Sequence, residues 1–211
     1  MDRTRLVLVA PIFGAEPVSP ARLESALAGG DVAAVIIDAG DGEPEAVQPL
    51  AAPLVEVAQA AGAAALLRGD SRAAGRIRAD GVHVDTDVDE VASALKRLRP
   101  NGIVGAGGAV TRHAAMELGE LDPDYVFFGR LDRPDTDTAE PTAISLATWW
   151  AELFEVPAVA LLGLDLAEAE DLAAAGVEFV ALRDGVWRHP EGPAAAVSQA
   201  NAAIEAGWVP A

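Results

Sequence analysis

Residues 82–106, VHVDTDVDEVASALKRLRPNGIVGA, contain the unit that determines the fold. A short apolar run at residues 82–84 is followed by residues 88–98, in which apolar side chains recur at helical spacing. Residues 100–102, Pro-Asn-Gly, then turn the chain into a second apolar run at residues 103–106. A strand, a helix and a second strand in this order predict a βα unit of a parallel sheet.

The same alternation extends in both directions from this unit, so that each predicted strand is followed by an Ala-rich amphipathic segment. The predicted strands are residues 6–13, 33–37, 63–67, 82–84, 103–106, 125–128, 158–161 and 179–182. Units of similar length favour a closed TIM (β/α)8 barrel, and an open doubly wound sheet is the alternative. Residues 11–14, PIFG, lack the glycine-rich loop that usually follows the first strand of an open sheet, which favours the barrel.

Length and composition agree with a single domain over residues 1–211. A chain of 211 residues lies at the lower end of the size range of this barrel, and no linker interrupts it. No apolar run approaches the roughly 20 residues that cross a bilayer, and the N-terminal residues show no export signal. We therefore expect a soluble cytoplasmic protein with no membrane partner.

The charged residues restrict the ligands that the protein can bind. The net charge of −18 is distributed along the chain and argues against a nucleic-acid partner. The absence of cysteine excludes disulfides, thiolate metal sites and cysteine nucleophiles. Because Lys96 is the only lysine, phosphates would have to be bound by arginines and backbone amides. The sequence leaves open whether the chain forms a homo-oligomer.

Charged residues also follow most of the predicted strands, at the end of the barrel where active sites of this fold lie. The pairs nearest the strand ends are Asp38 and Asp41, Arg68 and Asp70, Asp85 and Asp87, Arg130 and Asp132, and Arg183 and Asp184. Carboxylates from different strands could hold Mg²⁺, or they could cap the helices that follow. The capping interpretation is favoured for Asp70, and both stay open for Asp85 and Asp87.

Four segments resemble strands of thiamine phosphate synthases, in that family's order and spacing. Residues 79–84, ADGVHV, are similar to the family's Ala-Asp-Gly-Val-His-Leu strand, and residues 103–106, IVGA, to its Ile-Ile-Gly-Val strand. Residues 123–129, PDYVFFG, are similar to its Asp-Tyr strand that ends in glycine. Residues 156–163, VPAVALLG, are similar to the strand that usually ends in two glycines.

This resemblance implies a transferase that joins an aminopyrimidine diphosphate to a thiazole phosphate with Mg²⁺, so small phosphorylated molecules are the expected partners. If the chain is such a transferase, Arg68, Arg130, Gly163 and Arg183 are the candidate phosphate-binding residues at the barrel mouth. Asp70, Asp85 and Asp87 are then the candidate metal-binding residues. The catalytic residues stay unassigned.

The sequence departs from the family pattern at several strand ends. Residues 36–40, IIDAG, stand where the family has Gln-x-Arg-x-Lys, and Gly107 replaces a serine. Residues 132–137, DRPDTD, lack the lysine of the family's loop, and Leu162 replaces one of the paired glycines. Asp70 and Asp87 each stand one residue away from the positions of the family's metal-binding aspartates.

These departures leave three hypotheses open. The first is an active transferase with a shifted ligand set. The second is a catalytically lapsed paralogue that acts as a small-molecule binding or regulatory protein. The third is an enzyme of another kind that reuses the barrel mouth, which the fold alone neither supports nor excludes.

Overall fold

Eight parallel strands pair in chain order, and the last strand pairs with the first. The computed structural model describes residues 3–40, 42–69 and 71–208. Because the pairing closes on itself, the predicted TIM barrel is confirmed and the open doubly wound alternative is wrong.

Each predicted strand is present: the last four have the predicted ends, and the ends of the first four differ from the predicted ones by at most two residues. The strands are β1 (Arg5–Pro11), β2 (Val32–Asp38), β3 (Ala64–Arg68), β4 (Gly81–Val84), β5 (Ile103–Ala106), β6 (Tyr125–Phe128), β7 (Ala158–Leu161) and β8 (Phe179–Leu182). The helices are α1 (Pro20–Leu27), α2 (Pro44–Ala60), α3 (Ser71–Arg76), α4 (Val88–Leu98), α5 (Arg112–Gly119), α6 (Pro141–Leu153), α7 (Ala169–Ala174), α8 (Asp184–Trp187) and α9 (Pro193–Gly207). None of the helices within the described ranges is long and apolar enough to cross a membrane.

Alternating residues of each strand build two separate apolar layers. Leu6 and Leu8 of β1 face outward into the large layer between the barrel and its helices. Val7 and Val9 face inward, into a smaller layer that includes Tyr125 and Phe127. The barrel interior is therefore filled with side chains, so a ligand has access only to its rim.

One glycine makes room for the largest residue of this interior. A Cβ atom on Gly105 would lie 1.9 Å from Cζ of Tyr125, far inside van der Waals contact. The absent side chain on β5 therefore allows the tyrosine ring of β6 to fill the barrel. Tyr125 in turn places its hydroxyl 3.0 Å from Nδ1 of His83, which is fully buried on β4.

Tryptophans anchor two of the helices. Trp150 of α6 is fully buried, and its Nε1 donates to the carbonyl of Val156 at 2.7 Å. Trp187 of α8 is also buried, and its Nε1 donates to the carbonyl of Val9 at 2.6 Å. The second contact fixes the short helix α8 beside β1, at the end of the barrel where the charged residues collect.

Candidate active site

Three charged side chains from neighbouring strands meet at the rim of the barrel. Arg68 at the end of β3 lies between Asp38 at the end of β2 and Asp85, which follows β4. Its Nη1 lies 2.9 Å from Asp38 Oδ1, and its Nη2 lies 2.8 Å from Asp85 Oδ2. Its Nε donates to both oxygens of Asp85, at 3.1 and 3.0 Å. Two carboxylates and a single guanidinium leave this rim cluster with a net negative charge.

The two carboxylates hold Arg68 in its charged form. Burial opposes the ionised guanidinium, but the hydrogen bonds and charges of Asp85 and Asp38 outweigh this effect and raise its pKa. The side chains of Arg68, Asp38 and Asp85 are only 17%, 8% and 16% exposed. Arg68 is therefore at the mouth, as a phosphate-binding residue would be, but a phosphate would have to compete with two carboxylates for its donors.

His83 of β4 stands two residues before Asp85 and pairs in register with Arg68. Its ring packs edge-on against Phe127, with centroids 5.0 Å apart, while Nδ1 faces the Tyr125 hydroxyl. Burial, helped by the charge of Arg68, lowers the pKa of His83 to about 4, so that the ring is neutral at pH 7. Its Nε2 is buried and has no hydrogen-bond partner among the residues that the structure describes.

Arg183, at the opposite side of the mouth, is bound by the loop that joins β6 to α6. Its Nη1 donates to the carbonyl of Leu131 at 2.9 Å, and its Nη2 donates to the carbonyl of Arg133 and to the carboxylate of Asp135. The other Asp135 oxygen accepts the amide of Asp184 at 2.8 Å. The side chains of Arg183 and Asp135 are only 7% and 2% exposed. We call these contacts the Asp135 clamp.

Gly163 packs against the same loop. A Cβ atom at this position would lie 2.4 Å from the carbonyl oxygen of Thr136, so only glycine allows the backbones to approach this closely. The amides of Leu164 and Asp165 donate to the carbonyls of Thr136 and Asp137, each at 2.9 Å. Two amides that follow β7 therefore bind the loop, although the resemblance predicts phosphate binding in this region.

Arg130 pairs with Asp132 within the same loop. Nε of Arg130 lies 2.9 Å from Asp132 Oδ1, and both side chains are partly exposed. The hydrogen bond from Arg130 lowers the pKa of Asp132 to about 2. Each of the three predicted phosphate-binding arginines therefore has a carboxylate partner. Sequence spacing could indicate only the pairing of Arg130 with Asp132, which are two positions apart.

The three predicted metal-binding residues differ in their surroundings. Asp85 belongs to the rim cluster, whereas Asp87 is exposed and accepts the amide of Glu90 at 2.9 Å as the N-cap of α4. Asp70 lies outside the described residues. Within residues 3–40, 42–69 and 71–208, no group of three or more His, Cys, Asp or Glu side chains could hold a metal ion.

Two of the cavities at this end of the barrel border the β6–α6 loop. The mouth cavity, of about 480 Å³, lies over the rim cluster and is lined by Asp38, Arg68, Arg183 and the loop residues 131–134. The loop cavity, of about 260 Å³, lies between the β6–α6 loop and the end of β7. Arg133, which was not among the predicted site residues, lines both cavities.

Comparison with known proteins identifies the relatives of this chain. The family model of thiamine monophosphate synthase matches residues 8–186. A thiamine-phosphate synthase of Hyphomonas neptunium is 36% identical over 209 residues, which are 96% of this chain and 95% of the relative. One of Rhodospirillum centenum is 37% identical over 203 residues, which are 95% of this chain and 98% of the relative.

A solved structure shares the fold at lower sequence identity. Thiamine phosphate pyrophosphorylase from Pyrococcus furiosus superimposes with a TM-score of 0.78 and 19% identity, over 95% of each chain. This likeness supports the barrel, while the sequence matches identify the family because they extend over nearly the whole chain. The chain belongs to the thiamine monophosphate synthase family.

Proposed function

We propose that this protein is a thiamine phosphate synthase, a transferase that joins an aminopyrimidine diphosphate to a thiazole phosphate. The full-length similarity to two thiamine-phosphate synthases carries this proposal. In the reaction, the bond between the pyrimidine methylene carbon and the diphosphate oxygen breaks, and pyrophosphate leaves. The thiazole nitrogen then forms a bond to the same carbon, which gives thiamine phosphate.

The mouth cavity would bind both substrates. Arg68, Arg130, Gly163 and Arg183 are the proposed phosphate-binding residues, and Arg68 and Arg183 line this cavity. The negative charge of Asp38 and Asp85 would favour the positively charged pyrimidine that forms as pyrophosphate leaves. The clamped loop would limit the access of water to that cation, which suits a transfer to a nitrogen nucleophile.

Mg²⁺ is the proposed cofactor, and Asp85 is the described residue that best fits it. Mg²⁺ prefers oxygen ligands and is commonly held by one or two carboxylates together with substrate phosphates, so a group of three protein ligands is not required. Asp85 offers such oxygens at the rim beside Asp38. Bound Mg²⁺ would neutralise charge on the departing pyrophosphate. Asp70 and Asp87 stay proposed ligands, although the capping role of Asp87 accounts for its position.

Turnover by the purified protein tests this proposal directly. We expect thiamine phosphate and pyrophosphate to form in equal amounts when both substrates and Mg²⁺ are present, and neither to form when the thiazole phosphate is omitted. Formation should stop with EDTA and resume when excess Mg²⁺ is added. Absence of product under all of these conditions would contradict the proposed activity.

The charge pairing at the rim favours a second candidate function. Asp38, Asp85 and Asp135 neutralise arginines that a phosphate would otherwise contact. A lapsed paralogue that binds a small molecule without turnover would show this pattern. It predicts a folded protein with no turnover whose small-molecule binding survives replacement of Asp70 and Asp87 by Ala. Turnover by the unmodified protein that is strongly reduced in that double variant would exclude this candidate.

A further inference from the structure

The arginines of the mouth cavity differ in how far protein groups already neutralise them. Arg68 is bound by Asp38 and Asp85, and Arg183 is bound by Asp135 and by two carbonyls. When a guanidinium that is hydrogen-bonded to carboxylates binds a phosphate, it loses those hydrogen bonds. Its net contribution to the free energy of phosphate binding is therefore reduced.

Arg133 is the exception among the arginines that line this cavity. It is exposed, and within the described ranges its guanidinium makes no hydrogen bond or ion pair. The nearby Asp132 is influenced by the charge of Arg133, but both of its carboxylate oxygens already accept hydrogen bonds from Arg130. The guanidinium N–H groups of Arg133 are therefore available to a ligand.

The Asp135 clamp holds the backbone of Arg133 in place. Arg183 donates to the carbonyl of Arg133 itself, and to Leu131 and Asp135, which lie two residues before and after it. A second hydrogen bond holds the loop, because the carbonyl of Thr136 accepts the amide of Leu164. Because the backbone is fixed while the side chain is not, Arg133 can bind an anion without the cost of ordering a flexible loop.

We propose that Arg133 is the principal phosphate-binding cation of the mouth, and that the Asp135 clamp positions it there. It lines both the mouth cavity and the loop cavity, so it can reach a phosphate or diphosphate group in either one. Its planar guanidinium suits bidentate contact with phosphate oxygens. The inference deepens the proposed function and rests on it for the identity of the ligand, although phosphate binding can be measured by itself.

Isothermal titration with inorganic pyrophosphate, at constant ionic strength and with and without Mg²⁺, tests the assignment. Arg133→Gln should weaken binding at least about tenfold, since a charge-assisted contact is lost, and Arg133→Lys should weaken it less. Arg99→Gln is the matched control, because Arg99 pairs with Asp122 at the opposite end of the barrel and the change in charge is the same. This control should bind pyrophosphate within about twofold of the unmodified protein.

The inference is overturned if Arg133→Gln binds pyrophosphate as tightly as the unmodified protein, or if it loses no more than Arg99→Gln does. Turnover by the unmodified protein separates this result from failure of the proposed function. Turnover with no effect of Arg133→Gln on the KM of either substrate would remove the inference and leave the function. Loss of pyrophosphate binding in Arg133→Gln without turnover by the unmodified protein would remove the function and leave the inference.

Discussion

Asp85 forms a mostly buried ion pair with Arg68 at the rim, which should contribute to the stability of the fold. Asp85→Asn keeps a hydrogen-bond acceptor but removes the charge, so we expect a loss of about 1–3 kcal/mol in the free energy of unfolding. The pair of Arg5 and Asp31 is a matched control, because its contact is also bidentate but both side chains are more than 40% exposed. Asp31→Asn should cost less than about 1 kcal/mol. Urea denaturation measures both losses, and equal losses would contradict the importance of burial.

His83 should make the stability of the protein depend on pH. An unfolded histidine binds a proton near pH 6.5, whereas burial keeps the pKa of His83 in the folded protein at about 4. The unfolded state therefore binds more protons between these values, and stability falls as the pH drops through this range. The loss attributable to His83 approaches about 3 kcal/mol near pH 4.

Urea titrations of His83→Gln between pH 7.5 and pH 4 measure this effect, because glutamine does not bind the proton. The difference in unfolding free energy between the unmodified protein and this variant should shrink as the pH falls below 6.5. His113→Gln is the control, since His113 is exposed on α5. A difference that stays constant across the range would show that His83 is protonated equally in the folded and unfolded states.

Helix α4 offers a way to separate a capping role of Asp87 from a metal-binding one. Asp87→Ala removes the acceptor of the Glu90 amide and should cost about 1 kcal/mol of stability. Asp87→Ser keeps a capping oxygen and should restore most of that stability. If Asp87 only caps the helix, both variants should need the same Mg²⁺ concentration for half-maximal turnover as the unmodified protein. A much higher requirement in Asp87→Ser would identify Asp87 as a metal ligand.

Most strands and helices were predictable because their apolar residues recur at strand or helix spacing. Residues 88–98 combine apolar spacing with an Asp87 cap, and α4 begins and ends at these residues. Less regular segments were harder to predict: residues 184–187 carry no periodic signal, yet they form α8 because Trp187 is bound to β1. Tertiary contact, rather than local preference, forms this helix.

The positions of the rim residues were predictable, but their partners were not. Strand ends in a parallel barrel must meet, so the placement of Arg68 and Arg183 at the mouth followed from the fold. The pairing of Arg183 with Asp135 joins residues 48 positions apart, and it depends on the path of an irregular loop. Such a contact leaves no spacing pattern in the sequence. The net charge available to a phosphate could therefore be assessed only in three dimensions.

The whole molecule carries a net charge of −18, so the approach of a phosphorylated substrate is opposed at long range. Screening at physiological ionic strength limits this repulsion to about 8 Å, and binding then depends on the groups within the mouth. Among the described arginines that line the mouth cavity, Arg133 is the one whose guanidinium makes no hydrogen bond or ion pair. The barrel closed by the pairing of β1 with β8 supplies a fixed frame. Affinity for phosphates should therefore depend on a few rim residues rather than on the overall charge.

Because the mouth exists only while β1 and β8 close the barrel, a phosphate ligand should stabilise the entire molecule. Pyrophosphate with Mg²⁺ at 100 times its dissociation constant would add about 2.7 kcal/mol, which corresponds to a rise of roughly 5–10 °C in Tm for a domain of this size. Calorimetry measures the shift, with NaCl at matched ionic strength as the control. The Tm of Arg133→Gln should rise much less at the same ligand concentration, because its weaker binding leaves the mouth mostly free. A rise that is equal in NaCl and in pyrophosphate would show that the mouth binds no diphosphate, and it would count against both an active synthase and a phosphate-binding paralogue.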